Sequence, residues 1–402
     1  MTAALADVVI LELASEPWSA LASVFLADFG ADVIRIDDRA ATVPRRADDA
    51  PPSDLPGWDP ESELVHRNKR ALAVDLARPE GRALLHDLVR TADVFLTDWP
   101  ARELAAYGLD AESLGALNPK LIYARGTGFG PKGPDAELPA LDELAAARTG
   151  MMPILQQPGK PPVYAGHGAM YTATMLGFGI VTALIHRDAS GEGQTVDASL
   201  YAGNMYGASL DVQAFLAMGG ERFLHPVSRL DAGNPMSGTV YPAKDGRWVT
   251  LTMPDTDRWW PAFSELVGLD RHDPRFDTHE KRCGVSRLEM MRVLEERFAT
   301  RDADHWKRGF DAKQLSADII EDYSFPASDP DARKNRYVLD LDRPGVGSVA
   351  TLGFPIFASE SPARLRSLAP CTGQHTDQVL RERLGLDERR IAELRLGGII
   401  GS

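Results

Sequence analysis

Hydrophobic positions in the first third of the chain follow two alternating patterns. Short apolar runs have the length and flanks of buried strands: "VVILEL" at 8–13, "ADVIRID" at 31–37, "DVFLTD" at 93–98 and "LIYARG" at 121–126. The run "ALAVDL" at 71–76 is strand-like as well. Between the runs lie segments of helical spacing. One spans 19–30 and ends on Gly30, one spans 79–92 with Pro79 near its start, and one spans 101–108 and ends on Gly108. Strands alternating with helices predict an α/β fold built on a doubly wound parallel sheet.

The pattern then changes. Residues 40–60, "AATVPRRADDAPPSDLPGWDP", carry turn formers and no periodicity, and read as a mobile loop. Residues 137–215 are mostly helical in spacing. The apolar stretch at 170–185 is short for a membrane span and rich in small and hydroxyl residues, so it reads as a buried helix. The expected organisation is a large domain beginning at 1–215, a turn-rich linker at 216–245, a smaller α+β domain at 246–320 and a return to the large domain at 321–402. In the small domain a strand at 246–253 precedes helices at 257–268, 287–300 and 302–312. Two helices, 376–385 and 387–396, close the chain.

Composition narrows the function. The chain has 402 residues, 44% hydrophobic, enough for a sizeable core, and a net charge of −14. No basic stripe with interleaved aromatics is present, so nucleic acid is not expected as a partner, and neither is a membrane. An anionic ligand would need local positive charge set against the protein's own field. The two cysteines, Cys283 and Cys371, lack ligand spacing. No metal site is expected, and such cysteine usage suits the cytoplasm. Residues 1–15 have no basic leader and read as the start of the fold.

Four places carry candidate chemistry. "GFGPKG" at 128–133 matches a dinucleotide-binding pattern but follows a late strand, and its prolines oppose a helix. "HRNKR" at 66–70 groups Arg67, Lys69 and Arg70 as either an anion patch or a solvated charge run. Asp98 and Trp99 end a strand where open α/β sheets bind ligands, and Trp99 could stack on a flat ring or sit in the core. "VYAGHGAMYTATM" at 163–175 leads through Gly166, His167 and Gly168 into a long apolar helix. Glycines there allow close approach of a ligand, and the helix start offers N–H groups to an anion. His167 is the only one of nine histidines flanked by glycines, and reads either as a packed residue or as a catalytic one.

Nearly the whole chain resembles the class III CoA-transferases, the CaiB/BaiF family. The resemblance rests on "SVFLADFGADVIRID" (23–37), "NKRALAVDLARPEGRALLHDLVRTADVFLTD" (68–98), "LNPKLIYARGTGFGPKGP" (117–134), "ALIHRDASGEGQTVDASL" (183–200), "GNPMSGTVYPAKDGRWVTL" (233–251) and the closing "LGLDERRIAELRLGGII". It implies a Rossmann-like large domain built from both chain ends, a smaller domain and an interlocked dimer. It also implies acyl-CoA and carboxylic acids as substrates, with coenzyme A or acyl-CoA as substrate and no tightly bound cofactor. Family chemistry runs through an aspartate at the start of a long helix, beside a glycine, which attacks the thioester to give a mixed anhydride.

Matched without gaps, Gly168 stands at the family glycine and Ala169 at the aspartate. No Asp or Glu lies between 144 and 187. The histidine of the racemase branch falls near Leu141, just before Asp142. The usual Ala-Gly-Pro near the CoA pocket reads Trp18-Ser19-Ala20, and the glycine-rich lid of oxalate-type enzymes is absent near 233–238. Basic positions for the CoA phosphates read Asp38, Ala77 and Ala106, with Arg39, Arg78 and Arg102 near enough to substitute. The expected CoA-binding set is therefore Arg39, Arg78, Asp98, Trp99, Arg102 and Gly168, and the candidate catalytic pair is His167 and Asp142. The leading expectation is an aspartate-free subunit, in a homodimer or beside an aspartate-bearing homologue. The alternatives are an isomerase, lyase or thioesterase using His167, with Asp142 and Asp98 as further acid–base candidates, or a non-catalytic acyl-CoA binder.

Overall fold

The computed structural model describes residues 3–39, 58–155, 159–219 and 228–401. Most of the loop expected at 40–60, and residues 220–227 of the expected linker, lie outside the described residues.

Six parallel strands form the main sheet: β1 (Val9–Leu13), β2 (Asp32–Asp38), β3 (Lys69–Val74), β4 (Val94–Thr97), β5 (Ile122–Thr127) and β6 (Thr195–Ser199). Their order is β3-β2-β1-β4-β5-β6, so the chain changes its direction of growth between β1 and β4. Among the described residues the helices of this stretch are, in chain order, α1 (Pro17–Asp28), α2 (Pro60–His66), α3 (Pro79–Val89), α4 (Ala101–Tyr107), α5 (Ala111–Leu117), α6 (Asp142–Ala146), α7 (Met151–Leu155), α8 (Gly168–Ser190), α9 (Leu200–Gly207) and α10 (Ser209–Met218).

Successive strand residues point to opposite faces, and both faces are covered, which is why the strands read as nearly continuous apolar runs. Val9, Leu11, Leu13, Ile36, Leu72 and Phe95 pack under α3, α5 and two C-terminal helices, α17 (Thr376–Leu384) and α18 (Glu388–Leu396). Ile10, Val33, Leu96, Ile122 and Ala124 pack under α1 and α8. Helix α1 is apolar nearly all round because it is buried nearly all round. Gly177 of α8 keeps the helix close to α1, with the Ala22 carbonyl in contact distance of any Cβ there. Helix α8 is the one described helix long and apolar enough to cross a membrane, and it buries one side, including Ala173, Leu176, Ile180 and Leu184, in this core.

The chain divides into two compact units. The larger holds 1–152, 164–223 and 330–402, and so joins both ends of the sequence. The last residues close the β3 edge: His375 N–H donates to Ala71 O at 2.9 Å and Gly401 N–H to Ala73 O at 3.0 Å. The hairpin β10 (Val338–Arg343) with β11 (Gly347–Leu352) belongs to the same unit.

The smaller unit, 153–163 and 224–329, is an antiparallel sheet β7-β8-β9 (Ser237–Pro242, Trp248–Thr252, Ala317–Ile320) with helices α11 (Thr256–Val267), α12 (His279–Cys283), α13 (Arg287–Phe298) and α14 (Ala303–Ala312). The short helix α15 (Ser324–Ser328) follows β9, and α16 (Pro330–Lys334) opens the last segment of the larger unit. The small unit's core centres on Phe298, stacked on Tyr241 at 5.3 Å and edge-on to Trp306 at 5.0 Å. Strand β7 falls inside the turn-rich stretch read as a linker, because Thr239 and Tyr241 turn inward while β7 pairs with β8.

One buried ion pair fixes α1 on the sheet. Lys69 Nζ, at the start of β3, reaches Glu12 Oε2 on β1 at 2.7 Å and the Ala20 carbonyl of α1 at 2.8 Å. Ser23 of α1 donates to the same carboxylate oxygen. Both charged groups are essentially inaccessible, and burial pulls the Lys69 ammonium down to about 8 against the pull of Glu12. Removing one partner strands the other charge. Lys69→Met should therefore cost roughly 3–5 kcal/mol in urea unfolding, and Glu12→Leu/Lys69→Met should recover much of that loss.

Candidate functional site

The entry to α8 is built by glycines. Gly166 takes φ +72°, a left-handed conformation that suits glycine, and His167 follows as the N-cap, exposed and making no side-chain cap bond. Gly168 is buried, and a Cβ there would overlap the Asn204 amide of α9. Across the same contact, a Cβ at Gly203 would overlap Thr172.

This close crossing of α8 and α9 delivers Asn204 to Asp142. Asn204 Nδ2 donates to Asp142 Oδ1 at 2.7 Å and to the Leu200 carbonyl at 2.9 Å. Tyr164 donates its hydroxyl to Asp142 Oδ2 at 2.6 Å. Burial and the Asp142 charge hold the Tyr164 phenol well above its ordinary range, so it serves as a donor. Asp142 is thus a carboxylate with both oxygens engaged, set beside the first residue of α8.

Ala169 has different surroundings. Trp18, Ala145 and Leu200 form a buried apolar cluster, and Ala169 packs on it with Phe129, Ala140 and Tyr201. Gly126 leaves room for the Trp18 indole against β5. The Trp18 indole N–H and the Ser19 hydroxyl are buried with no hydrogen-bond partner among the described residues.

Helix α1 joins this cluster to the crevice between β1 and β4. Asp98, just past β4, accepts from Ser15 N–H at 2.9 and 3.1 Å and from Glu16 N–H at 2.8 Å. These two donors form the turn that leads to Trp18. Burial pushes the Asp98 carboxyl up to about 7, against the two backbone donors and helped by Glu16 and Glu12.

The chain matches the model of CoA-transferase family III over residues 5–376. It belongs to that family. A cinnamoyl-CoA:phenyllactate CoA-transferase of Clostridium sporogenes is 30% identical over 393 residues, 96% of this chain and 94% of that protein. The succinyl-CoA–L-malate CoA-transferase beta subunit of Chloroflexus aurantiacus is 28% identical over 418 residues, 99% and 98% of the two chains. A CAIB/BAIF family protein of Brucella suis superposes with a TM-score of 0.81 at 27% identity, covering 95% of this chain and all of that one.

In this CoA-transferase family III chain the sequence candidates fall into two groups. His167, Gly168, Ala169 and Asp142 meet at the start of α8, while Asp98 and Trp99 meet at the end of β4. Trp99 is half-buried against the core and tilted onto Tyr107 at 6.2 Å. Arg39 donates to the carbonyls of Gly398 and Ile400 at 2.8 and 3.1 Å, and Arg78 to Gly397 at 2.8 Å, so both hold the C-terminal segment. Arg102 is exposed on α4.

The "HRNKR" run is neither a patch nor a solvated face. Arg67 is buried on Asp28, Lys69 is buried on Glu12, and Arg70 bonds Asp32 and Glu382. "GFGPKG" follows β5 into turns and opens no helix. Among the described residues no group of three or more His, Cys, Asp or Glu is placed to hold a metal ion.

Sequence reasoning missed Asn204, Tyr164 and the Ser15–Glu16 turn. The glycine at 168 signalled close approach, but what approaches it is a side chain of α9. Gly168→Ala should displace Asn204 and lower stability by about 1–3 kcal/mol. Asn204→Ala in the same chain should relieve the overlap and restore much of the thermal stability, which a melting series on the single and double variants would show.

Proposed function

We propose that this chain is an aspartate-free subunit of a CoA-transferase that moves CoA between carboxylic acids, and that a homologous chain supplies the nucleophilic carboxylate. The observation that carries this reading is Ala169, closed into an apolar cluster at the position where the resemblance puts the family aspartate. The carboxylate of the partner would attack the thioester carbonyl carbon. The C–S bond breaks, CoA leaves as the thiolate, and the acyl group remains as a mixed anhydride. The thiolate then attacks the aspartyl carbonyl, releasing the first acid and leaving an enzyme thioester. An acceptor carboxylate resolves that thioester in the same two moves.

A partner is also supported by the outer face of the large unit. Phe178 and Ile185 of α8, Tyr206 of α9, and Leu210, Leu216 and Met218 of α10 are exposed, and α10 buries no residue at all. An apolar surface of this kind marks an interaction site. The reading calls for a heteromer in the interlocked family form, in the cytoplasm, and a relative that is named a beta subunit agrees with it.

A second reading is favoured by one observation: Asp142 is held by Tyr164 and Asn204 beside Gly168, with the exposed His167 one residue away from that glycine. Such a pair suits proton transfer on an acyl-CoA, with imidazole as the base.

The purified chain, given succinyl-CoA and isotopically labelled carboxylates, separates the two. We expect no label in acyl-CoA from the chain alone, and label once an aspartate-bearing homologue is co-expressed with it. Turnover by the chain alone that is lost in His167→Ala or Asp142→Asn would overturn the subunit reading in favour of acid–base chemistry.

A further inference from the structure

The main sheet has two edges, and among the described residues only one is covered. At the β3 edge the C-terminal segment lies along the strand. Gly401 N–H donates to Ala73 O at 3.0 Å, His375 N–H to Ala71 O at 2.9 Å and Asp75 N–H to Ile399 O at 2.8 Å. The other edge is β6. Its register on β5, with Tyr123 N–H donating to Gln194 O, turns the backbone groups of Gln194, Val196 and Ala198 inward. Those of Thr195 and Asp197 point outward, and among the described residues nothing bonds them. An open edge of this kind is a template for a further strand.

The devices that usually guard an edge are missing from β6. Its sequence, TVDAS, holds one charge, and Asp197 is already answered by Arg125 Nε of β5 at 3.1 Å. Neither a proline nor a register shift interrupts the strand. The two faces also differ. Val196 and Ala198 pack toward the core under α1 and α8. Thr195 and Asp197 alternate to the face that carries α5, and both are exposed. On that face a groove runs beside the edge, in two adjoining pockets of about 200 and 350 Å³. The buried Leu121 and Tyr123 line it together with Thr195 and Asp197.

We propose that a second copy of this chain fills the open edge, with β6 pairing antiparallel to β6 about a two-fold axis at Val196. That register is self-complementary. Thr195 stands opposite Asp197 of the second copy, where the outward N–H and C=O groups of both exchange their bonds. The Thr195 hydroxyl then faces a carboxylate, and Val196 faces Val196 of the second copy, apolar against apolar. An axis at Asp197 would set two carboxylates face to face, and an axis at Thr195 would set Asp197 opposite Gly193, which has no donor side chain. The axis at Val196 also brings the two grooves together on one face of a continuous sheet. This goes beyond the transfer of CoA, since the pairing joins two copies whether or not each is bound to a homologue.

The ladder is five residues long at most, so the pair should dissociate on dilution. Sedimentation of the full chain over a dilution series, alone and with an aspartate-bearing homologue co-expressed, is compared with Thr195→Pro. Proline there removes an outward N–H and leaves the bonds to β5 in place. We expect wild type at high concentration to reach twice the mass that Thr195→Pro holds. The register is read by Val196→Cys in a chain that also carries Cys283→Ser and Cys371→Ser. Across a non-hydrogen-bonded pair the Cα atoms lie about 4.5 Å apart, within reach of a disulfide. Mild oxidation should link two copies several-fold faster through Val196→Cys than through Thr195→Cys in the same background. Wild type that keeps the mass of Thr195→Pro at every concentration, or equal linking at the two positions, overturns the inference. So does a link from Val196→Cys to the homologue instead of a second copy, which would assign the edge to that chain. The linking rates decide the matter even if Thr195→Pro does not fold.

Discussion

The position of α1 governs both candidate sites of the large unit, and buried ion pairs set it. Lys69 crosses beneath α1 from the first residue of β3 to Glu12 on β1, and spends a further bond on the Ala20 carbonyl. An ammonium inside an apolar layer tolerates little displacement, because each lost bond leaves a charge without compensation. A second buried pair, Arg67 with Asp28, ties the end of α1 to the residues just before β3, and the same guanidinium reaches the Gly353 carbonyl near the C-terminal hairpin. Helix α1 is thereby clamped at its middle and its end. Its first turn then places Trp18 against Ala169, and the turn before it presents two N–H groups to Asp98. The two candidate sites are two ends of one short segment.

The sheet was legible in the sequence because a strand buried on both faces has to be apolar at every position. β1, β2, β4 and β5 fall in the runs that predicted them. Strand β6, "TVDAS", was not singled out. It lies at the edge of the sheet, partly exposed, so its sequence carries no apolar run. The seven-residue helices α2 and α5 were not singled out, whereas α4, equally short, was marked by its closing Gly108.

Long-range pairing was not legible at all. Nothing local in "HRNKR" says that its arginines and lysine find Asp28, Glu12 and Asp32, between 38 and 57 residues earlier in the chain. Nor does anything near Arg39 or Arg78 point to carbonyls at the far end of the chain. A cluster of cations in sequence describes a ligand site only if the fold leaves the cations unspent. At the α8 entry the sequence went further, because glycine has a steric meaning that does not depend on its partner. Gly168 announced a close approach, and only the identity of Asn204 had to come from the fold.

The surroundings of Ala169 and of Asp98 treat charge in opposite ways. Around the start of α8 residues 144–187 hold no acidic side chain, and Ala169 packs on an apolar cluster. At the turn between β1 and α1, Asp98 takes up the Ser15 and Glu16 N–H groups. A carboxylate introduced at 169 would pack on the apolar cluster with Trp18, Phe129 and Tyr201. A buried carboxylate without partners protonates and loses its nucleophilicity. The alanine at 169 and the tryptophan at 18 are therefore mutually consistent.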